Sequence, residues 1–246
     1  MRRLIVLLFL LVLPVTACTF EFQTFPNGEQ TQTPDQAPTK EAGVPETVQA
    51  LEGPDINYNG VRFTLNPALG SRVYVYDEPL TIDGATAHST RFALNPEDYC
   101  QTWCLIVYPV PEFEQAFGTF VFPPAGYRGG ASIIFEAQKK PLSFQNGSGD
   151  RGLEAFGQNH YGVSNESLKY VFRGYSADKK YGVFLQVPTQ AANLSGIAPT
   201  IGTNPDEIVQ YNQQAAQSMS VLTPGDFNPN LELLDALVTS VHVGTQ

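Results

Sequence analysis

Basic residues are scarce in this 246-residue chain: 14 lysines and arginines stand against 24 carboxylates, for a net charge of −10. An acidic surface repels phosphate backbones and anionic headgroups, so neither nucleic-acid binding nor electrostatic adhesion to a membrane is expected. Histidine is also rare. His88, His160 and His242 lie far apart without the short spacings of a ligand set, so no metal or cofactor is expected. Catalytic signatures are missing as well. Neither Gly130-Ala131-Ser132 nor Asn146-Gly147-Ser148-Gly149 completes a Gly-x-Ser-x-Gly elbow. Gly147-Ser148-Gly149 lacks the lysine of a phosphate loop, no Asp-x-Asp-x-Asp-Gly calcium loop occurs, and the carboxylates are scattered rather than paired. No catalytic residue is assigned on this basis.

Long apolar runs are limited to one. Arg2 and Arg3 precede Leu4 to Leu13, and Pro14-Val15-Thr16-Ala17 leads to Cys18. A run of about ten residues is half of the ~20 that a bilayer-spanning helix needs, and the charged, apolar and small-residue zones are those of a cleaved signal. Val15-Thr16-Ala17-Cys18 resembles the bacterial lipobox, in which the cysteine is diacylated and becomes the new N-terminus. The expectation is a signal peptide over 1–17 and lipidation of Cys18, which would hold the protein outside the cytoplasm on a bacterial membrane, cell or outer. Two acyl chains suffice for stable anchoring where one is marginal.

Only three cysteines are present. With Cys18 lipidated, Cys100 and Cys104 remain as a pair in a compartment where disulfides persist. Residues four apart on a strand are about 13 Å from each other, so a bridge requires 99–104 to turn. Asn95-Pro96-Glu97-Asp98 just before makes that turn plausible. A local Cys100–Cys104 disulfide is expected, with two unlinked thiols as the alternative.

The chain divides by composition. Residues 18–52 read as a disordered linker: Pro26, Pro34, Pro38 and Pro45 punctuate a threonine- and glutamine-rich stretch without apolar period after Phe25. Residues 53–246 read as one globular domain. Its composition, 42% hydrophobic and 11% aromatic over the whole chain, can fill a sizeable core. Val61–Leu65 and Arg72–Tyr76 alternate around a turn and suggest a hairpin; 87–94 reads as a strand, and Leu105–Tyr108 is a short apolar run suited to a central strand. Pro111 sits near the start of a short helix over 110–117. Leu142–Gln145 and Leu153–Phe156 flank a tight turn at Asn146–Gly149, and Leu168–Tyr175 with Tyr181–Val187 form the clearest hairpin. Asn204, Pro205 and Glu207 then mark a helix start, and Asn228-Pro229 a second; Ser240–Val243 reads as a closing strand.

Strands followed by C-terminal helices argue for an α+β class, an antiparallel sheet with packed helices, two of them C-terminal. The opening Gly60-Val61-Arg62-Phe63, the late hairpin and the ending Leu233–Val243 resemble the PsbP/DcrB-like family of extracytoplasmic proteins. Phe144–Arg151 with Tyr170–Gly174 is similar to uncharacterised bacterial lipoproteins carrying such a domain. The resemblance implies a sandwich of sheet and helices, and an accessory or binding subunit with no catalytic residue to carry over.

Two places are candidates for binding. Asp150 and Arg151 after the glycine turn, with His160 and Tyr161 on the next loop, form a polar mouth or else satisfy the turn's own backbone. Trp103 beside the cysteines is a partner anchor or else packs on its neighbouring disulfide. The functional expectation is a lipid-anchored binding or accessory protein of the envelope with a protein partner there. An envelope hydrolase whose residues meet only in three dimensions is the alternative.

Overall fold

A computed structural model describes residues 47–95, 103–123, 131–159, 161–196 and 204–244. In chain order the elements are β1 (Thr47–Glu52), β2 (Asp55–Tyr58), β3 (Val61–Thr64), β4 (Arg72–Ile82), β5 (Ala85–Ala93), β6 (Cys104–Pro109), α1 (Val110–Phe117), β7 (Ser132–Phe144), β8 (Gly147–Gly157), β9 (Lys169–Ser176), β10 (Tyr181–Pro188), β11 (Gln190–Ala191), α2 (Pro205–Met219), a 3-10 turn at Pro224–Asp226, β12 (Phe227–Asn228) and α3 (Leu231–Ser240). Eight strands form one sheet in the order β1-β4-β5-β6-β10-β9-β8-β7, and every neighbouring pair is antiparallel.

Strand β6 explains why the sheet is covered on both sides. Its sequence, Cys-Leu-Ile-Val-Tyr-Pro, has no polar face, and all but its last residue are buried. Leu105 and Val107 enter the main core, where α3 contributes Leu231, Leu234 and Leu237, α2 contributes Met219, and the β2–β3 hairpin contributes Ile56 and Phe63. Cys104, Ile106 and Tyr108 point to the opposite face and meet Phe113 of α1 and Phe120. On that face aromatic edges stack in sequence: Tyr108 lies 5.2 Å from both Phe113 and Phe120, and Phe122 lies 5.0 Å from Tyr175. Each such pair adds about 0.5–1.5 kcal/mol beyond its area burial. Gly182 on β10 is required here, because a Cβ would come within 2.8 Å of the Phe120 ring.

The expected α+β balance is corrected. Of the described residues 48% are in strands and 21% in helices, so the domain is a mostly-β fold carrying three short helices rather than a sandwich of sheet and helices. The reason lies in strands that run through residues resembling turn formers. Strand β7 continues for 13 residues because bulges, one with Gln138 at φ 48°, absorb residues such as Gln138-Lys139. Strand β8 starts at Gly147, so the reversal is Gln145-Asn146 alone and the expected Asn146–Gly149 turn is mostly strand. Gly149 sits opposite Gly174, and the backbones are so close that a Cβ at 149 would lie 2.0 Å from the Arg173 carbonyl oxygen. Phe144 and Phe172, packed edge to face at 6.1 Å, fill the space beside Gly147 and Gly174 respectively.

Other elements differ in pairing. Strand β3 pairs with β2, while β4 pairs with β1 and β5, so 61–65 and 72–76 are not one hairpin. The sheet already includes Thr47–Glu52, inside the stretch read as linker. Asn230 rather than Asn228 caps α3, its side chain accepting from Glu232 N–H at 2.8 Å. The closing strand reduces to a bridge between Arg62 and His242, while Asn146 grips Val243 through its side chain. The β9–β10 hairpin, the α1 helix and the α2 helix with its Asn204 cap stand where the sequence places them.

Candidate functional site

Neighbouring residues on a strand point to opposite faces, and this rule divides the expected polar mouth. Asp150 and Arg151 both lie on β8, but Asp150 is exposed on the outer face with Gly152 and Glu154, whereas Arg151 is buried on the core face with Leu153 and Ala155. They build two separate networks, one on each side of the same strands.

The core-side network converges on one carboxylate. The Asp235 carboxylate of α3 accepts a hydrogen bond from the Tyr170 hydroxyl at 2.9 Å and pairs with Arg151 Nε at 3.2 Å and Lys140 Nζ at 2.8 Å. Arg151 Nη1 also donates to the Gln138 carbonyl at 2.8 Å, satisfying the bulge in β7. The Arg151 side chain is only 4% exposed. Burial and then the negative Asp235 push the Tyr170 phenol far above its usual range.

The outer network borders a cleft of about 360 Å³, open to solvent over β7, β8 and β9. Its floor is a bidentate pair: Arg173 donates from Nη1 and Nη2 to the two Glu154 oxygens at 2.6 and 2.8 Å, and from Nε to the Pro123 carbonyl at 2.9 Å. The pair ties the segment 121–123 to the sheet. The guanidinium lies 5.6 Å from the Phe184 ring centre and 5.9 Å from that of Phe156. Asp150 stands directly across from Arg173 in the strand register, yet Arg173 is turned to Glu154. Glu136 and Lys139 form a loose pair at 3.8 Å on the rim, and Val121 and Ile133, 39% and 41% exposed, make its apolar wall with Phe122. Lys169 lies across from Glu154, with its amine over the Phe156 ring, and burial lowers its affinity for a proton.

The remaining sequence candidates sit elsewhere. Tyr161 donates its hydroxyl to the Phe156 carbonyl at the far end of β8, roughly 16 Å along the strand from Arg151. Trp103 is 2% exposed and packs against Phe63 at 6.2 Å, so its ring is a core group rather than a surface anchor. Its indole Nε1 is buried with no hydrogen-bond partner among the described residues. His160, Cys18 and Cys100 lie outside the described residues, and Cys104 is fully buried at the head of β6.

Glu154, Arg173 and Asp235 escaped the sequence reading. A usable signal existed for Arg173, a cation within the otherwise apolar, aromatic run Tyr170-Val171-Phe172-Arg173-Gly174-Tyr175, where an unpaired charge would be costly. Among the described residues no group of three or more His, Cys, Asp or Glu could hold a metal ion. The chain matches no family model, no curated protein and no solved structure.

Proposed function

We propose that this chain is a lipid-anchored extracytoplasmic binding protein of the bacterial envelope, and that the cleft over β7, β8 and β9 is its contact site for a protein partner. The observation that carries the binding half is the cleft's composition. A rigid, fully paired floor (Glu154–Arg173) lies beside the open carboxylate of Asp150 and an exposed apolar wall of Val121 and Ile133. Such a surface offers both orientation and apolar contact to a ligand. The anchoring half rests on Arg2-Arg3, the Leu4–Leu13 run and the lipobox-like end at Cys18.

A photo-crosslinking residue placed at Ile133 tests the contact in native membranes. The expected result is an adduct of one discrete mass, absent when the same residue replaces Thr86 on the distant β4–β5 hairpin. Equal labelling from both positions, or none from either, would remove the cleft as a contact site.

A further inference from the structure

Resting on that reading of the cleft, we infer that its occupant is an extended segment of the partner protein bearing a lysine or arginine beside an aliphatic residue. The charged residues that line the cleft are Glu136, Lys139, Asp150, Arg151, Glu154 and Arg173. Glu136 is matched by Lys139 and Glu154 by Arg173, which leaves Asp150 as the carboxylate without a described partner. Arg151 does not compensate it, since its guanidinium is held by Asp235 and Gln138 on the other face of the sheet. Lys169 lies opposite Glu154, four residues down β8 from Asp150, and stands over Phe156.

Arg173 cannot swing to Asp150 without giving up two hydrogen bonds to Glu154, whose side chain is 6% exposed and would be left as a buried, unpaired charge. Among the described residues, then, no cation pairs with Asp150, which leaves it to one from outside. Ile133, Val121 and Phe122 lie on the same cleft, so the methylenes of a lysine or arginine, or an adjacent leucine, have apolar surface to cover.

The test uses the full chain in neutral detergent and peptides carrying an uncharged fluorophore, read by anisotropy. Capped Gly-Leu-Lys-Leu-Gly is compared with Gly-Leu-Glu-Leu-Gly and with Gly-Gly-Lys-Gly-Gly, and spermidine serves as a competitor. One solvated charge pair is worth up to about fivefold in affinity and a like-charge repulsion about the same, so the lysine peptide should bind several-fold tighter than the glutamate peptide. Asp150→Asn should remove the preference and Asp150→Lys should invert it, with the thermal stability of the Asn variant nearly unchanged because Asp150 is exposed and has no partner among the described residues. Loss of the leucines should weaken binding further. No binding of the lysine peptide, equal binding of both charges, or a preference that survives Asp150→Lys overturns the inference. If the leucine-free peptide and spermidine compete as well as the leucine peptide does, the ligand is a small polycation and the peptide assignment is wrong. A discrete adduct from Ile133 alongside a failed charge preference would leave the cleft as the contact site and discard only the cationic occupant.

Discussion

Replacing Asp235 by alanine removes the acceptor on which three side chains converge, and the cost can be worked from their surroundings. Lys140 is 48% exposed, so losing its ion pair costs at most about 1 kcal/mol after solvent screening. The Tyr170 hydroxyl loses a hydrogen bond inside the core, about 1–2 kcal/mol. Arg151 is decisive: with its side chain 4% exposed, it keeps only the Gln138 carbonyl, and a buried charge stripped of its partner costs about 3–5 kcal/mol. The three share one carboxylate and do not add independently, so the expected total is about 3–5 kcal/mol. Urea unfolding should show a lower midpoint at unchanged slope, and the melting temperature should fall by about 6–20 °C for a domain of this size. Arg151→Met combined with Asp235→Leu removes both charges and should recover most of the loss. A single-variant loss under about 1 kcal/mol, or a double variant as unstable as the two single losses together, refutes the claim that Arg151 depends on Asp235.

Three further outcomes are expected. Because the Tyr170 phenol is raised by burial and by Asp235, the folded state keeps its proton where the unfolded chain loses it. That stability is fully present below about pH 10 and declines as pH rises beyond it, by up to about 1.4 kcal/mol per pH unit, and Tyr170→Phe should flatten the alkaline limb of a stability-against-pH curve. Cys18→Ala should abolish partitioning into the detergent phase, and a variant that still partitions like the parent defeats the lipoprotein reading. Non-reducing peptide mapping should find Cys100 linked to Cys104 in protein from its native compartment; so short a ring should contribute less than the ~3 kcal/mol of a fifteen-residue loop, and two free thiols would refute the bridge.

Much of the secondary structure was legible wherever a period was strong and ended by a hard stop. Leu105–Tyr108 before Pro109, the β9–β10 hairpin before Pro188 and the Asn204-Pro205 helix start all carry such stops. Class failed for a different reason. Glycines at 147 and 149 read locally as a turn, but in the sheet Gly149 serves close strand approach and Gly147 leaves room for Phe144, a tertiary demand that no local window reveals. The pairing of β3 with β2 was hidden likewise. Asn66 closes its own turn, with its side chain accepting from Ala68 N–H, and redirects the chain instead of reversing it. The site was legible only in half. Asp150 and Arg151 were found as residues, but assigning them to a turn concealed the strand alternation that sends them apart, and the partners that define each network are distant in sequence.

That separation has a functional consequence. The same three strands carry a largely buried network on the core side and an open one on the outer side, and no hydrogen bond or ion pair among the described residues joins them. In the core-side network Arg151, the buried cation, has its carboxylate, so its role is to fix α3 and the β7 bulge against the sheet. In the outer network the buried carboxylate, Glu154, is satisfied by Arg173, and the surplus charge lies at the solvent edge on Asp150, where it costs the fold nothing. Substitutions on the two faces should therefore separate cleanly. Changes at Arg151 or Asp235 move stability and leave peptide preference intact in whatever protein remains folded, whereas Asp150→Asn moves preference and leaves stability nearly intact. A variant at Asp150 that unfolds the domain, or one at Asp235 that alters charge preference without loss of stability, would mean that the sheet does not insulate the two faces and that the cleft is not an independent site.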